Sequence, residues 1–205
     1  MPSPNRSDFS SRLRLRGIAP VIAAALCAVA ASAPSSAQSL AERLQLCGTC
    51  HGESGNSKME KTPSLAGQPE LFLTNQLILM RDKLRKSEVM EPFVKGLTDP
   101  EVLALAAHYA KLDPHPSDEP VDPALAAQGA QLAQKMLCGS CHLPNLVGRE
   151  QMPRLARQRL DYLIDSLTGY RDGRRSGIDT SMNAVMYGVT DQDIRALAHF
   201  IASLR

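Results

Sequence analysis

Apolar residues recur along the chain at helical spacing, and strand-like alternation is nowhere sustained. Leu40, Leu44 and Cys47 stand at i, i+4 and i+7, which predicts a helix running straight into the segment around Cys47. Leu125, Leu132 and Met136 predict another helix, capped by Asp122 and carrying Pro123 at its first position. Leu73, Leu77, Met80 and Leu84 mark a middle helix, and Leu160, Ile164 and Leu167 mark its counterpart. Two further helices open on capping signals, Thr98-Asp99-Pro100-Glu101 and Thr190-Asp191-Gln192-Asp193. The pattern predicts an all-α protein of short helices joined by irregular loops.

These elements come in two sets. The stretch TPSLAGQPELFLTNQLILMRD at 62–82 aligns with MPRLARQRLDYLIDSLTGYRD at 152–172, and VMEPFVKGLTDPEVLALAAHY at 89–109 aligns with SMNAVMYGVTDQDIRALAHFI at 181–201. The offset is 90 at Pro63 and Pro153 and 92 at Met90 and Met182, so loop-sized insertions separate the copies. Between them runs LDPHPSDEPVDP at 112–123, with four prolines and four acids, a linker by composition. The chain therefore divides into domains at 38–113 and 121–205, with 114–120 between them, each with three to four helices. At about 80 residues an apolar core alone is marginal. With no tryptophan and 4% aromatic residues, something other than side chains is expected at the centre of each half.

Residues 1–37 follow a different logic. Arg6, Arg12, Arg14 and Arg16 precede an alanine-rich apolar run, and small residues stand at Ser35 and Ala37. That layout predicts a secretory signal peptide cleaved near Ala37 and hence export to the periplasm. The run is short and broken by Pro20, which weighs against an uncleaved anchor, and Leu26 before Cys27 weighs against a lipidated cysteine. Removing four Arg and one Asp takes the formal charge from +2 to −1, a balance that argues against nucleic acid as a partner.

Cleavage would leave four cysteines, Cys47, Cys50, Cys138 and Cys141, all within two C-x-x-C-H motifs that end at His51 and His142. C-x-x-C-H is the attachment pattern of a c-type haem. Two thiols add to the vinyl groups of one porphyrin edge, and the adjacent imidazole takes an axial position on iron. A zinc site would pair its C-x-x-C units within about 20 residues, a thioredoxin-like pair would need a βαβ setting, and paired disulfides would not explain the histidines. The expected cofactors are two covalently attached haem c groups.

The sixth iron position needs a second ligand, and a Met/His pair suits electron transfer. Met90 and Met182 lie 39 and 40 residues after their histidines, in the loop before the last helix of each half. Met186 shares the loop of Met182 and is its rival, whereas Met80 lies on an apolar stripe. His108, His115 and His199 read as surface, linker or packing residues. A metal-bound histidine donates its other ring N–H to a fixed acceptor, and the carbonyls of Pro63 and Pro153, 12 and 11 residues on, are placed to serve. Among the arginines of the second half, Arg171 and Arg175 are the first candidates to meet a haem propionate or an acidic partner.

CGTCHGESGNS, PSLAGQ, PRLARQ, GYRDGRR and SMNAVMYGVTDQDIRALAHFIASL resemble the dihaem cytochrome c4 family over essentially all of 38–205. The resemblance implies two tandem class I cytochrome c domains, each folded around a covalently bound haem. It implies attachment at Cys47, Cys50, Cys138 and Cys141, axial ligation by His51 and Met90 and by His142 and Met182, and hydrogen bonds to Pro63 and Pro153. It further implies facing haem edges and electron delivery in the periplasm to a respiratory terminal oxidase. A quinol-oxidising complex or a dehydrogenase would be the other redox partner, and loose membrane association is compatible with this role. Two other roles stay open: the cytochrome subunit of a periplasmic dehydrogenase, and a small haem peroxidase, against which the two matched methionines weigh. The chain departs from the pattern where Arg157 stands in place of the glycine at Gly67, and in the longer loop RDGRRSGIDTSM.

Overall fold

The computed structural model describes residues 38–176 and 180–205. The expected signal peptide and its cleavage point lie outside the described residues. The first half contains α1 (Leu40–His51), α2 (Glu70–Arg81), α3 (Glu91–Val94) and α4 (Asp99–Ala110). The second contains α5 (Pro123–Lys135), α6 (Cys138–His142), α7 (Leu160–Arg171), α8 (Ser181–Met186) and α9 (Asp191–Ser203). No strand occurs among the described residues, apart from one isolated bridge between Arg149 and Met152. None of the described helices is long and apolar enough to cross a membrane.

Local chemistry sets most helix ends. Ser39 and Glu42 form a reciprocal capping box on α1, and Thr98 and Glu101 form one on α4. Thr190 accepts from the Asp193 amide to open α9, and the Asp122 carboxylate accepts from Ala124 and Leu125 to open α5. In the second half the linker acid Glu119 accepts from the Leu160 and Asp161 amides and so caps α7 from outside. The middle helix is shorter than its stripe predicts. It stops at Arg81, Lys83 turns to φ +61°, and Leu84 is 70% exposed rather than packed.

The motif helix also differs between halves. α1 carries its motif without interruption, whereas α5 stops at Lys135 and Leu137 adopts a left-handed conformation before α6 resumes. That break is why the second half has five helices where three or four were expected. The methionine loops are not wholly irregular either. Met90 stands at the N-cap of the one-turn α3, and Met182 lies within α8.

Helix packing follows the repeat: α1 and α2 meet α4, and α5 and α7 meet α9. Leu73, Ala106 and Tyr109 form one apolar cluster of the first half, and Met80, Val94, Leu97, Val102 and Leu105 form another. The second half packs Leu163, Ala198 and Ile201 in one cluster, and Leu167, Met186, Ile194 and Leu197 in another. The described residues from 38 onward belong to one compact unit.

The α5–α9 crossing depends on Gly129. A methyl group there would stand 2.0 Å from the Ala196 carbonyl oxygen and 2.7 Å from Phe200 Cβ, so only glycine lets the two backbones approach. Gly129→Ala is predicted to cost about 1–3 kcal/mol by overpacking. Thermal unfolding followed by circular dichroism checks this, and an unchanged midpoint would show that the helices separate freely.

Candidate functional site

Each C-x-x-C-H motif ends a helix with its histidine ring turned inward. His51 and His142 are 6% and 5% exposed. His51 Nδ1 donates to the Pro63 carbonyl at 2.8 Å, and His142 Nδ1 donates to the Pro153 carbonyl at 2.9 Å. With Nδ1 engaged, Nε2 is left as the metal-binding nitrogen. Burial pushes both imidazoles below the usual histidine range, and the proline carbonyls oppose that shift. Burial thus favours the neutral imidazole, the form that binds metal.

The acceptors are fixed as firmly as the donors. Leu65 and Ala66 donate their amides to Gly55 O at 2.7 and 3.0 Å, and Leu155 and Ala156 donate to Leu146 O at 2.8 and 3.1 Å. The same backbone geometry is thus built twice, but with different residues. Gly52 (φ +81°), Gly55 (+72°) and Gly67 (+63°) are matched in the second copy by Leu143 (+69°), Leu146 (+53°) and Arg157 (+61°). Leu146 is buried in the apolar core, and Arg157 donates to Pro114 O at 2.9 Å. Leu143, at ψ 158°, lies in a region favoured almost solely by glycine and belongs to neither apolar cluster of its half.

The four cysteines are free thiols with partial or full exposure, and burial raises Cys47 and Cys138 above the ordinary thiol range. Among the described residues no three His, Cys, Asp or Glu side chains converge on one point. Met90 and Met182 are half-buried, packed against the clusters that hold Val94 and Met186 respectively. Val94 and Met186 occupy the same place in the repeat, and both are 1% exposed.

Where the halves meet there is a polar cluster that sequence reasoning found only in part. Arg175 donates to Tyr162 Oη at 2.9 Å and to Ser166, and its guanidinium lies 4.9 Å from the Tyr170 ring centroid. Arg85, its repeat counterpart, donates to Gln76 Oε1 at 2.5 Å and is also coupled to Tyr162. Neither arginine forms an ion pair with a described Asp or Glu, and Arg175 Nε and Asn183 Oδ1 are buried without partners. Burial would raise the Tyr162 phenol, but Arg175 and Arg85 outweigh it and bring it down to about 7. The cluster sets two guanidinium groups around one phenol. Arg171, in contrast, is taken up by Asp172 at 2.8 Å and by Asp191 in its own half. The offset of 90 that relates Arg85 to Arg175 was the sequence signal for the missed member.

The family model Cytochrome c matches residues 126–205. The chain is 34% identical over 183 residues to the thiosulfate dehydrogenase electron acceptor of Thiomonas intermedia, covering 84% of each chain. It is 32% identical over 170 residues to cytochrome c4 of Pseudomonas aeruginosa, covering 78% of this chain and 84% of that one. The chain belongs to the cytochrome c4 family. The reduced recombinant cytochrome c4 from Pseudomonas stutzeri superposes with a TM-score of 0.72 at 31% identity, covering 82% of this chain and all of that one. The all-helical architecture is accordingly the class I cytochrome c fold, and the protein is an electron carrier, not an enzyme.

The cytochrome c4 residues fit covalently bound haem c. Thiols stand at attachment spacing, imidazoles are held by Nδ1, and the buried Arg175 Nε–H lacks an acceptor of the kind that a porphyrin carboxylate provides. Strain at Leu143, directly after an axial-ligand candidate, makes the second site the costlier one to build. Leu143→Gly is predicted to raise the stability of the second half by about 1 kcal/mol, and Gly52→Leu to cost about 1–3 kcal/mol. Denaturant unfolding of the two variants checks the opposite signs, and two changes of the same sign would contradict it.

Proposed function

We propose that this cytochrome c4 relative is a periplasmic dihaem carrier that passes single electrons by outer-sphere transfer. The observation that carries the reading is the repeated motif geometry, His51 on Pro63 and His142 on Pro153, with a half-buried methionine placed equivalently in each half. Cys47 and Cys50 would hold one haem c, and Cys138 and Cys141 a second. His51 with Met90, and His142 with Met182, would occupy the axial positions. Each iron, when bound, supplies ferric–ferrous exchange at a fully ligated centre.

The chain's own residues do the rest. The Pro63 and Pro153 carbonyls fix the tautomer and orientation of each imidazole. The apolar clusters beside Met90 and Met182 would keep water from the sulfur side, and the Arg85–Tyr162–Arg175 cluster would offer positive charge to porphyrin carboxylates. Placing Met182 rather than Met186 on iron follows from the repeat, since Met186 takes the core position of Val94.

Location in the periplasm rests on the signal-like residues 1–37. Partners are redox proteins. A respiratory terminal oxidase is the proposed acceptor, and the Thiomonas relative's name supports a dehydrogenase such as one oxidising thiosulfate as the donor.

Protein from a cytochrome-maturing host is expected to carry two haems by intact mass, and a single haem or none would overturn the dihaem reading. Met90→His and Met182→His should each abolish about half of the ferric sulfur-to-iron charge-transfer band and lower one of the two midpoint potentials, while Met186→Leu should preserve the band. Loss of the band in Met186→Leu would reassign the second ligand.

A further inference from the structure

The two peptide groups that hold the axial-ligand candidates are each gripped on their other side by the opposite half. The Pro63–Ser64 peptide accepts from His51 at its carbonyl oxygen, and its N–H donates to Gln158 Oε1 at 2.7 Å. The Pro153–Arg154 peptide accepts from His142, and its N–H donates to Gln68 Oε1 at 3.0 Å. Each glutamine closes the loop by donating Nε2 back to the next carbonyl. Gln158 reaches Ser64 O at 3.0 Å, and Gln68 reaches Arg154 O at 2.9 Å. Gln68 and Gln158 are repeat counterparts, and so are Ser64 and Arg154. The result is a crossed clasp, buried to 4% and 3% exposure at the two glutamines.

We propose that Gln68 and Gln158 are crossed redox-positioning residues: each sets the electron donation of the axial histidine in the other half. The inference rests on the dihaem reading above. The physical path is short. An amide that donates its N–H polarises its own carbonyl, because the two ends share one π-system, and hydrogen bonds in such a chain reinforce one another. Gln158 therefore makes Pro63 O a stronger acceptor, which draws the His51 Nδ1 proton and raises the basicity of Nε2. A more basic ligand favours ferric iron and lowers the midpoint potential. Burial keeps water from replacing the glutamine, so the effect is not screened away.

The clasp links docking of the halves to redox poise. With the halves apart, Ser64 N–H and Arg154 N–H would lose their side-chain acceptors, and both histidines would become poorer donors. Plain loosening of the interface has the opposite electrostatic sign, because admitted water favours the more highly charged ferric state in both halves.

Gln158→Leu and Gln68→Leu, in the full-length holoprotein, test the proposal by NMR-followed redox titration with each midpoint assigned to its half. Wild type and variants are first checked for two haems by intact mass. A wild type without two haems removes the dihaem reading itself, whereas two haems with uncrossed behaviour removes only the clasp. Gln158→Leu is expected to raise the midpoint of the His51 centre, increasing its reduced-to-oxidised ratio roughly two- to tenfold at fixed potential. The His51 Nδ1–H resonance of the reduced protein should move upfield, while that of His142 stays in place. Gln68→Leu should do the reverse. Gln158→Glu, which keeps an acceptor for Ser64 N–H, should leave the His51 resonance downfield and supplies a test if the leucine variant fails to fold. Shifts confined to the variant's own half, equal shifts in both, lowered midpoints or no shift would each overturn the proposal, as would a glutamate variant whose His51 resonance moves upfield.

Discussion

A hydrogen bond from a buried imidazole to a proline carbonyl, 2.8 Å in one half and 2.9 Å in the other, anchors everything else in this molecule. It engages Nδ1 and leaves Nε2 free, and it ties the end of the motif helix to an otherwise irregular segment. Proline suits the position because it offers an acceptor without a competing donor on its own nitrogen. The segment that follows each proline is pinned in turn by paired amides to Gly55 O or Leu146 O. The histidine is therefore positioned by a chain of backbone contacts rather than by side-chain packing alone, which matters in halves with so few aromatic residues.

Duplication produced two sites with one backbone and two chemistries. The first copy meets its left-handed positions with glycine; the second meets them with Leu143, Leu146 and Arg157. Leu146 offsets its cost by filling the core, and Arg157 by reaching the linker at Pro114. The same asymmetry appears beyond the site. α1 runs unbroken into its motif, α5 does not, and α5 packs on α9 through Gly129, for which the first half has no helical counterpart. Arg154 adds a further difference. It is buried where the first copy has Ser64, its Nε lacks a partner, and burial with the nearby Arg157 lowers it to about 10. The two motif histidines, alike in their hydrogen bonds, thus sit in different electrostatic surroundings.

Much of this was legible before any fold was known. The capping signals at Thr98 and Thr190, the Asp122 cap and the stripe on the middle helix as far as Met80 rest on contacts within four residues, and they appear where local pattern places them. Leu84 shows the limit: its spacing extends the stripe, but the helix unwinds at Asp82 and Lys83, and the side chain turns to solvent. Met186 shows another. The repeat pairs Met182 with Met90 and leaves Met186 as the rival, and the burial of Met186 in the place of Val94 could be seen only in the fold. Arg171 was expected to face a propionate or a partner, yet it is held by two nearby carboxylates.

The sequence by itself determined the covalent chemistry and the repeat, because attachment needs only five adjacent residues and helix periodicity needs only a few turns. Tertiary structure alone decided how the copies act on each other. Gln158 meets Ser64 across 94 positions, Gln68 meets Arg154 across 86, and Arg85 shares Tyr162 with Arg175. Such partners are chosen by the relative placement of two folded bodies. No local spacing records that placement, so the same glutamines read as ordinary polar residues until the two halves are seen together.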